Sequence, residues 1–487
     1  MSERTKINLT FYLSIFTIII LFLIIEYSLI SREFFSLSAD ESGHTLEAHE
    51  WYKGEGQLFS IWLPFFKVIN GIALKLHYDL ILTPRLVSVL FGLLTLLSII
   101  FLTHQLFDNR ITSILTGFLS ALFVPITVFS VLPLIEIYFF FFVTASLRFY
   151  FLWSKSEKNI HLWATALLTA IGTSTRYEAW IFALFIFSFI VMQLIKSPKT
   201  FAQKVLLCAV IGFAIAFFPL LWIYLSYLST QDAHGFVSSV ANRYNEGKAF
   251  AEIKNNALYQ FVAINFASLN IIGLAPLIYL IKSERGIKNY FIILLGTLLI
   301  FSILSFAVKA MPTHNHWRIA AIWCLLLLPF TGYWLSNLIE TAKTNPLNKY
   351  LFFIFFILII YFFNSQTFKY SASSYLTMDD INVGKYLNEI LKIEDAKVFI
   401  IRDGSDKWRY ANILVTSEHP DYCLTDLASY SYVSTETLNI DQRLISEMVK
   451  HNAKLLIIPS RTTISNSQQN FIEQKSFIRW KIYKLKS

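Results

Sequence analysis

Runs of about 20 apolar residues, the length needed to cross the hydrocarbon core of a bilayer, recur from Leu9 to about residue 364 of this chain. They constrain the fold more than anything else in the sequence. Only 15% of the 487 residues are charged and 55% are hydrophobic, where a soluble protein carries about 25% charged residues. Mean hydropathy is +0.54. The expected fold class is an α-helical polytopic membrane protein. Leu9 to Ile30 is the first span, and others fall near 82–104, 111–130, 132–153, 160–175, 178–195, 205–228, 258–281, 289–308, 318–338 and 350–364, about eleven in all. The first apolar run is long for a signal-peptide core and Leu37-Ser38-Ala39 is a poor cleavage site, so it reads as a retained helix.

The basic residues of the short connections give an orientation. With residues 1–8 in the cytoplasm, the inner connections carry Arg110, Lys155, Lys158, Lys196, Lys199, Lys204, Lys282, Arg285, Lys288, Lys343 and Lys349, as the positive-inside rule requires. The net charge of +9 fits such loops and anionic lipid rather than nucleic acid. Segment 31–81 then lies outside, as do Arg176, residues 229–257, the stretch from Lys309 to Arg318 and the C-terminal tail. Cys208 and Cys324 fall in apolar segments and Cys423 in the tail, so no disulfide framework is expected.

Two outer regions interrupt the pattern. Residues 37–57 read as a polar, acidic loop with Asp40, Glu41, His44, Glu47, His49, Glu50, Lys53 and Glu55. Residues 55–81 mix apolar and basic positions and read as one or two amphipathic helices on the interface, anchored by Trp62. From residue 371 the composition changes. A helical pattern over 381–391 and one over 444–450 alternate with β-like runs at 396–401, 454–459 and 477–483, the last an edge strand. The expected division is a membrane domain over 1–370, with outer loop 31–81, and a small extracytoplasmic α/β domain over 371–487.

Candidate chemistry gathers on the outer side. Asp40 and Glu41 follow the first span, where a carboxylate can deprotonate a hydroxyl acceptor. Glu136 lies near the outer end of a span, where a carboxylate is costly and usually lines a cavity or has a partner. Arg85, Arg176, Lys309 and Arg318 stand on the side that the positive-inside rule disfavours, and such cations suit a phosphate group. Glu178 adjoins Arg176 at a tight turn. His314 and His316, two apart, are a candidate contribution to a metal site, although no third ligand has suitable spacing.

These motifs in this order resemble the GT-C superfamily of integral-membrane glycosyltransferases, especially bacterial relatives of protein O-mannosyltransferases and the lipid A aminoarabinose transferase. Asp40-Glu41 is similar to the acidic pair of that family's first outer loop. Pro84-Arg85-Leu86-Val87-Ser88, Pro133-Leu134-Ile135-Glu136, Ser174-Thr175-Arg176-Tyr177-Glu178-Ala179-Trp180 and Met311-Pro312 to Arg318 resemble later family segments. The resemblance covers residues 1–340. The chain departs from relatives that have Lys-Pro-Pro after the first loop, since here Lys53 precedes Gly54, and from relatives with Asp where Glu136 stands. The resemblance implies a sugar donor linked to polyprenyl phosphate and transfer outside a bacterial-type plasma membrane with inversion. Asp40 would be the base. Glu41 and Glu136 would orient acceptor or sugar hydroxyls or hold a divalent metal ion, the one cofactor left open. Arg85, Arg176, Lys309 and Arg318 would neutralise the leaving phosphate, and His44, Lys53, Glu178, His314 and His316 are candidate acceptor or sugar contacts. The acceptor is a glycan, lipid or protein. A transporter or flippase of lipid-linked saccharides is the alternative. It predicts ionisable residues at several depths, whereas Glu26, Glu136 and Arg148 each lie near a span end. A scaffold displaying the tail is a third reading, and it gives no reason for acids and cations to share one side.

Overall fold

The computed structural model describes residues 3–31, 40–56, 59, 62–238, 256–282, 285–307, 317–342, 345–373, 375–393, 396–403, 410–425, 432–433, 437–439, 442–465 and 470–486. The chain divides into two compact units. One comprises Met1–Ser31, Gln57–Phe66 and Ser88–Thr367, the other Arg32–Gly56, Lys67–Val87 and Phe368–Ser487.

The helices are α1 (Glu3–Ser31), α2 (Asp40–Lys53), α3 (Phe65–Leu76), α4 (Leu82–Phe107), α5 (Arg110–Ala121), α6 (Val124–Val131), α7 (Ile135–Ser156), α8 (Asn159–Gly172), α9 (Glu178–Lys196) and α10 (Phe201–Thr230). There follow α11 (Ala257–Ala267), α12 (Leu274–Leu280), α13 (Arg285–Ala307), α14 (Trp317–Thr341), α15 (Pro346–Ser373) and α16 (Tyr375–Leu391). Among the described residues, seven helices are long and apolar enough to cross a membrane, or nine if each of two bent pairs is one span. The expected eleven are therefore not reproduced. Helix α8 has 14 residues and rises only about 21 Å, and the apolar part of α15 is confined to Leu347–Phe363.

Local chemistry sets the ends and breaks. Thr200 and Gln203 form a reciprocal capping box at the start of α10. Helices α5 and α6 meet at 54°, with Pro125 in the first turn of α6, where its missing N–H costs nothing. Helix α11 and the segment Asn270–Leu280, a 3₁₀ turn continuing into α12, meet at 106° around Leu269, whose φ is +57°. The break is closed by hydrogen bonds. Asn270 donates to Asn265 Oδ1 (2.7 Å) and to the Cys324 carbonyl (2.8 Å), and Thr331 donates to Asn270 Oδ1 (2.5 Å). Helices α7 and α14 are the most enclosed spans, whereas α1 and α10 leave most of their surface outward. Gly332 of α14 lies against the backbone of Thr112 and Thr116 in α5, the close approach that small residues permit in membrane bundles.

In the second unit the strands are β1 (Lys397–Ile400), β2 (Arg402–Asp403), β3 (Cys423–Leu424), β4 (Tyr432–Val433), β5 (Thr437–Asn439), β6 (Ala453–Pro459), β7 (Thr463–Ser465), β8 (Phe471–Ser476) and β9 (Trp480–Leu485). Helices α17 (Tyr410–Thr416) and α18 (Gln442–Lys450) lie between them. A five-stranded sheet has the order β3-β1-β6-β9-β8, with β3, β1 and β6 parallel and β9 and β8 antiparallel. Val398, Ile400, Leu455 and Ile457 pack on one face with Val383 and Leu387 of α16 and Ile413 of α17. Phe399, Ile401, Leu456 and Ile458 pack on the other with Leu444 and Met448 of α18. Burial on both faces explains the unbroken apolar runs of β1 and β6.

Two expectations need correction here. The strand near 477–483 is not an edge: β9 lies between β6 and β8, because Trp480 and Ile482 serve one core and Tyr483 and Leu485 the other. The edge is β8, whose Glu473, Gln474 and Lys475 are exposed, as suits an unpaired edge. The acidic segment over 37–57 is not a loop through residues 40–53 but helix α2. Asp40 and Glu41 in its first turn and Lys53 in its last complement the helix dipole. Gly54, at φ +79°, ends it in the left-handed conformation that glycine adopts without strain.

Candidate active site

In the membrane unit, three helix ends bring four charged side chains together. Glu136 is in the first turn of α7, Arg176 in the turn between α8 and α9, Glu178 the first residue of α9, and Arg318 the second of α14. Glu136 is 1% exposed. Its Oε1 accepts from Arg176 Nη1 (2.6 Å) and from Arg318 Nε (2.7 Å). Arg176 also donates through Nε and Nη2 to Glu178 Oε1, at 3.1 and 2.7 Å. Burial works against the charge on Arg176, but Glu178 and Glu136 more than offset it and hold the guanidinium above its usual range. Two carboxylates and two guanidinium groups balance. Glu136 Oε2 is buried and accepts no hydrogen bond from the described residues. A buried acceptor without a donor is costly, and a hydroxyl-bearing ligand would satisfy it.

An aromatic group adjoins this cluster in sequence. Trp222 Nε1 donates to the Tyr177 hydroxyl (3.2 Å). Tyr177 stacks on Phe236 with ring centres 5.2 Å apart, and Trp180 Nε1 donates to the Thr173 carbonyl (2.8 Å). These contacts fix both ends of the turn that carries Arg176.

The second unit holds the other acidic group. Asp40 begins α2 and is half-buried, while Glu41 is 2% exposed. Arg85, 6% exposed, is within electrostatic reach of Glu41 and Asp79. His44 Nδ1 lies 3.8 Å from Glu47 Oε2. Lys67 of α3 is buried, and that burial lowers its pKa against the pull of Glu47 and Glu50. Glu50 is raised by burial and by Glu47. At the far end of α2, Asp421 Oδ1 accepts from Lys53 Nζ (2.9 Å) and pairs with His49 Nε2 (3.2 Å). Tyr78 OH meets His49 Nδ1 at 3.2 Å. The hydrogen bond to Asp421 raises the Lys53 pKa, and Asp421 itself stays below the usual carboxylate range because Lys53 and His49 outweigh its burial.

Glu136, Arg176, Glu178 and Arg318 thus meet in one unit, and Glu41 and Arg85 are neighbours in the other. Lys53 pairs with Asp421 rather than standing alone. Lys309, His314 and His316 lie outside the described residues. Asp421, Asn412 and Asp380, all in contact with α2 or with each other, were not anticipated. A short Pro-Asp-Tyr-Cys segment or an isolated Asn carries no signal for such partners in sequence. Among the described residues no three His, Cys, Asp or Glu side chains gather as metal ligands. Glu136 and Glu178 are each paired with arginine.

No protein-family model matches the chain, and no curated protein matches it. Solved structures do. ArnT from Cupriavidus metallidurans bound to undecaprenyl phosphate is similar with a TM-score of 0.56 at 11% identity, over 96% of this chain and 97% of that one. Its apo state gives 0.52 at 10% identity, over 91% and 92%. The archaeal oligosaccharyltransferase AglB from Archaeoglobus fulgidus, in complex with an inhibitory peptide and a dolichol-phosphate, gives 0.52 at 12% identity, over 91% of this chain and 69% of that one. At these identities the likeness is one of fold.

Proposed function

We propose that this chain, a multi-pass membrane protein with a GT-C-like fold, is a glycosyltransferase. It moves a sugar from a polyprenyl-phosphate donor to an acceptor hydroxyl on the extracytoplasmic face of a bacterial-type plasma membrane, with its N-terminus in the cytoplasm. The observation that carries this reading is the buried Glu136–Arg176–Arg318–Glu178 cluster, in which one carboxylate oxygen accepts from no described residue. Guanidinium groups recognise phosphate oxygens. The open Glu136 oxygen suits a sugar hydroxyl. Two solved structures of similar fold contain undecaprenyl phosphate and a dolichol-phosphate, which supports a ligand of that class here.

The chemistry balances simply. The acceptor oxygen attacks the anomeric carbon as the bond from that carbon to the phosphate oxygen breaks, and the configuration inverts. The acceptor proton passes to a carboxylate, which we assign to Asp40. The leaving polyprenyl phosphate takes the bonding electrons and gains one negative charge. Arg176 and Arg318 offset that charge, with Arg85 and Lys309 as further candidates. Preorganised charge of this kind stabilises a transition state without reorganisation.

Binding tests the donor half. Wild type in detergent should bind undecaprenyl phosphate, and Arg318→Gln should bind it at least tenfold more weakly. Equal affinity in the two proteins would contradict the assignment. Transport of lipid-linked saccharides is a second reading. It draws on Glu26 of α1, which is 1% exposed with two oxygens that have no hydrogen-bond donor among the described residues, and on Arg148, whose charge lies over Phe101 and Phe149, although both lie near span ends rather than at several depths. The enzyme account uses neither.

A further inference from the structure

We infer that Asp380 and Asn412 of the C-terminal α/β domain are positioning residues that hold the first turn of α2, and with it the Asp40-Glu41 pair, in register for proton removal. The inference rests on the assignment of Asp40 as base.

Helix α2 has two distinct stripes. Ser42, Leu46, His49 and Lys53 follow one another at spacings of four, three and four, which places them along one side of a helix with 3.6 residues per turn. All four meet the C-terminal domain. Ser42 Oγ donates to Asn412 Oδ1 (2.6 Å), Leu46 packs on the core of Val383, Leu387 and Ile413, and His49 and Lys53 reach Asp421. Asp40, His44 and Glu47 have the same spacing on the opposite stripe. The domain therefore grips one side of α2, and Asp40, His44 and Glu47 lie on the other side of the helix.

The grip at the N-terminal end is a chain of buried groups. Trp480 Nε1 donates to Asp380 Oδ1 (2.7 Å), Asn412 Nδ2 approaches Asp380 Oδ2 at 3.5 Å, and Asn412 Oδ1 accepts from Ser42. Asp380 is 0% exposed, Asn412 2% and Ser42 8%. An uncharged side chain could fill this space at less cost, since burying a carboxylate works against its ionised form. Burial indeed raises the Asp380 pKa to about 6.

Topology explains why these groups meet. Strand β9 runs antiparallel to β6, so Trp480 pairs with Pro459 at the carboxyl end of the parallel strands. Helix α16 enters at that edge, where Asp379 accepts from the backbone N–H of Ile478 (3.2 Å) and Arg479 (2.7 Å). Asn412, in the first turn of α17, lies at the same edge because α17 follows β1. Asp421 precedes β3 and lies at the amino edge. Helix α2 thus runs along α17 and is tied at both ends, by a buried chain beside Asp40 and by a partly exposed ion pair beside Lys53. The buried tie is the one adjacent to the carboxylates.

The test pairs kinetics with an exchange measurement on the full-length protein. Transfer of radiolabelled sugar from undecaprenyl-phosphate mannose and glucose is measured for wild type, Ser42→Ala, Ser42→Thr, Asn412→Ala and Asp40→Asn. Ser42→Ala and Asn412→Ala should lower kcat at least tenfold with donor KM within twofold of wild type, and Ser42→Thr should restore most of the rate. If Asp40→Asn abolishes transfer while Ser42→Ala and Asn412→Ala keep kcat within twofold, the positioning role is overturned and the base stands. If Asp40→Asn transfers normally, the base is wrong and the positioning role falls with it. Hydrogen exchange gives a readout that needs no turnover. Asn412→Ala should lose protection at the His44, Thr45 and Leu46 amides, which close the first turn of α2, while keeping it near His49, and unchanged protection there would also overturn the inference.

Discussion

Glu136 and Asp421 are both carboxylates that accept from two basic side chains, yet their surroundings are opposite. Glu136 is 1% exposed and meets Arg176 and Arg318 at 2.6 and 2.7 Å. The Asp421 side chain is 48% exposed and meets Lys53 and His49 at 2.9 and 3.2 Å. The distances alone would rank them nearly equal. Solvent separates them, because an exposed pair is screened and contributes little, whereas breaking a buried one leaves charge with nowhere to go. The same difference runs through the ties on α2. The ion pair at its Lys53 end is partly exposed, and the Ser42–Asn412–Asp380 chain at its Asp40 end is buried.

The largest effect should therefore come from Glu136→Gln, which leaves Arg176 and Arg318 with Glu178 as the remaining carboxylate of the cluster among the described residues. Thermal and denaturant unfolding in detergent should show a loss of about 3–5 kcal/mol. The double variant Glu136→Gln with Arg318→Gln should recover part of that loss. A loss no larger than that of an exposed pair would mean that water reaches the cluster and that the comparison with Asp421 is empty.

Next in size is the pH dependence set by Asp380. Its pKa is raised by burial to about 6 from an ordinary 3.8, so the folded protein holds this proton more tightly than the unfolded chain. The resulting stabilisation is fully present below about pH 4 and is lost as pH rises through about 6, a change of roughly 3 kcal/mol. Denaturant unfolding of wild type and Asp380→Asn across that window isolates the contribution. The variant should have a flatter profile, and superimposable profiles would show that Asp380 is not buried as described.

The smallest effect belongs to Lys53→Gln. Loss of an exposed pair should cost about 0–1 kcal/mol, and added salt should erase most of the difference from wild type. A cost comparable to that of Glu136→Gln would show that the Lys53–Asp421 contact is buried in the working protein and would reverse the ranking.

What could be read from the sequence follows the same divide. Apolar runs announced the spans, and the rarity of a carboxylate at a span end singled out Glu136. Arg176 and Glu178 stood out because a tight turn between two apolar runs left them no other place. The strands β1 and β6 were legible because each is buried on both faces. Helix α2 was not. Its buried positions include Ser42, His44, Thr45 and His49, which are polar and show no apolar stripe. What buries several of them is hydrogen bonding to residues far along the chain: Asn412 is 370 positions from Ser42 and Asp421 is 372 from His49. The bends at α5–α6 and α11–α12 were hidden for a related reason. Asn265, Asn270 and Thr331 close the second break through side-chain bonds that hydropathy does not register.

The proposed reaction is transfer of a sugar from a polyprenyl-phosphate donor with Asp40 as the base. The most direct test is transfer from radiolabelled undecaprenyl-phosphate sugars by purified wild type beside Asp40→Asn, with donor binding measured in parallel. The account predicts transfer by wild type, a fall of about 10²–10⁴-fold in the variant, and donor affinity unchanged between them. Wild type that binds donor but releases its sugar to neither an acceptor pool nor water would contradict it and favour the transport reading.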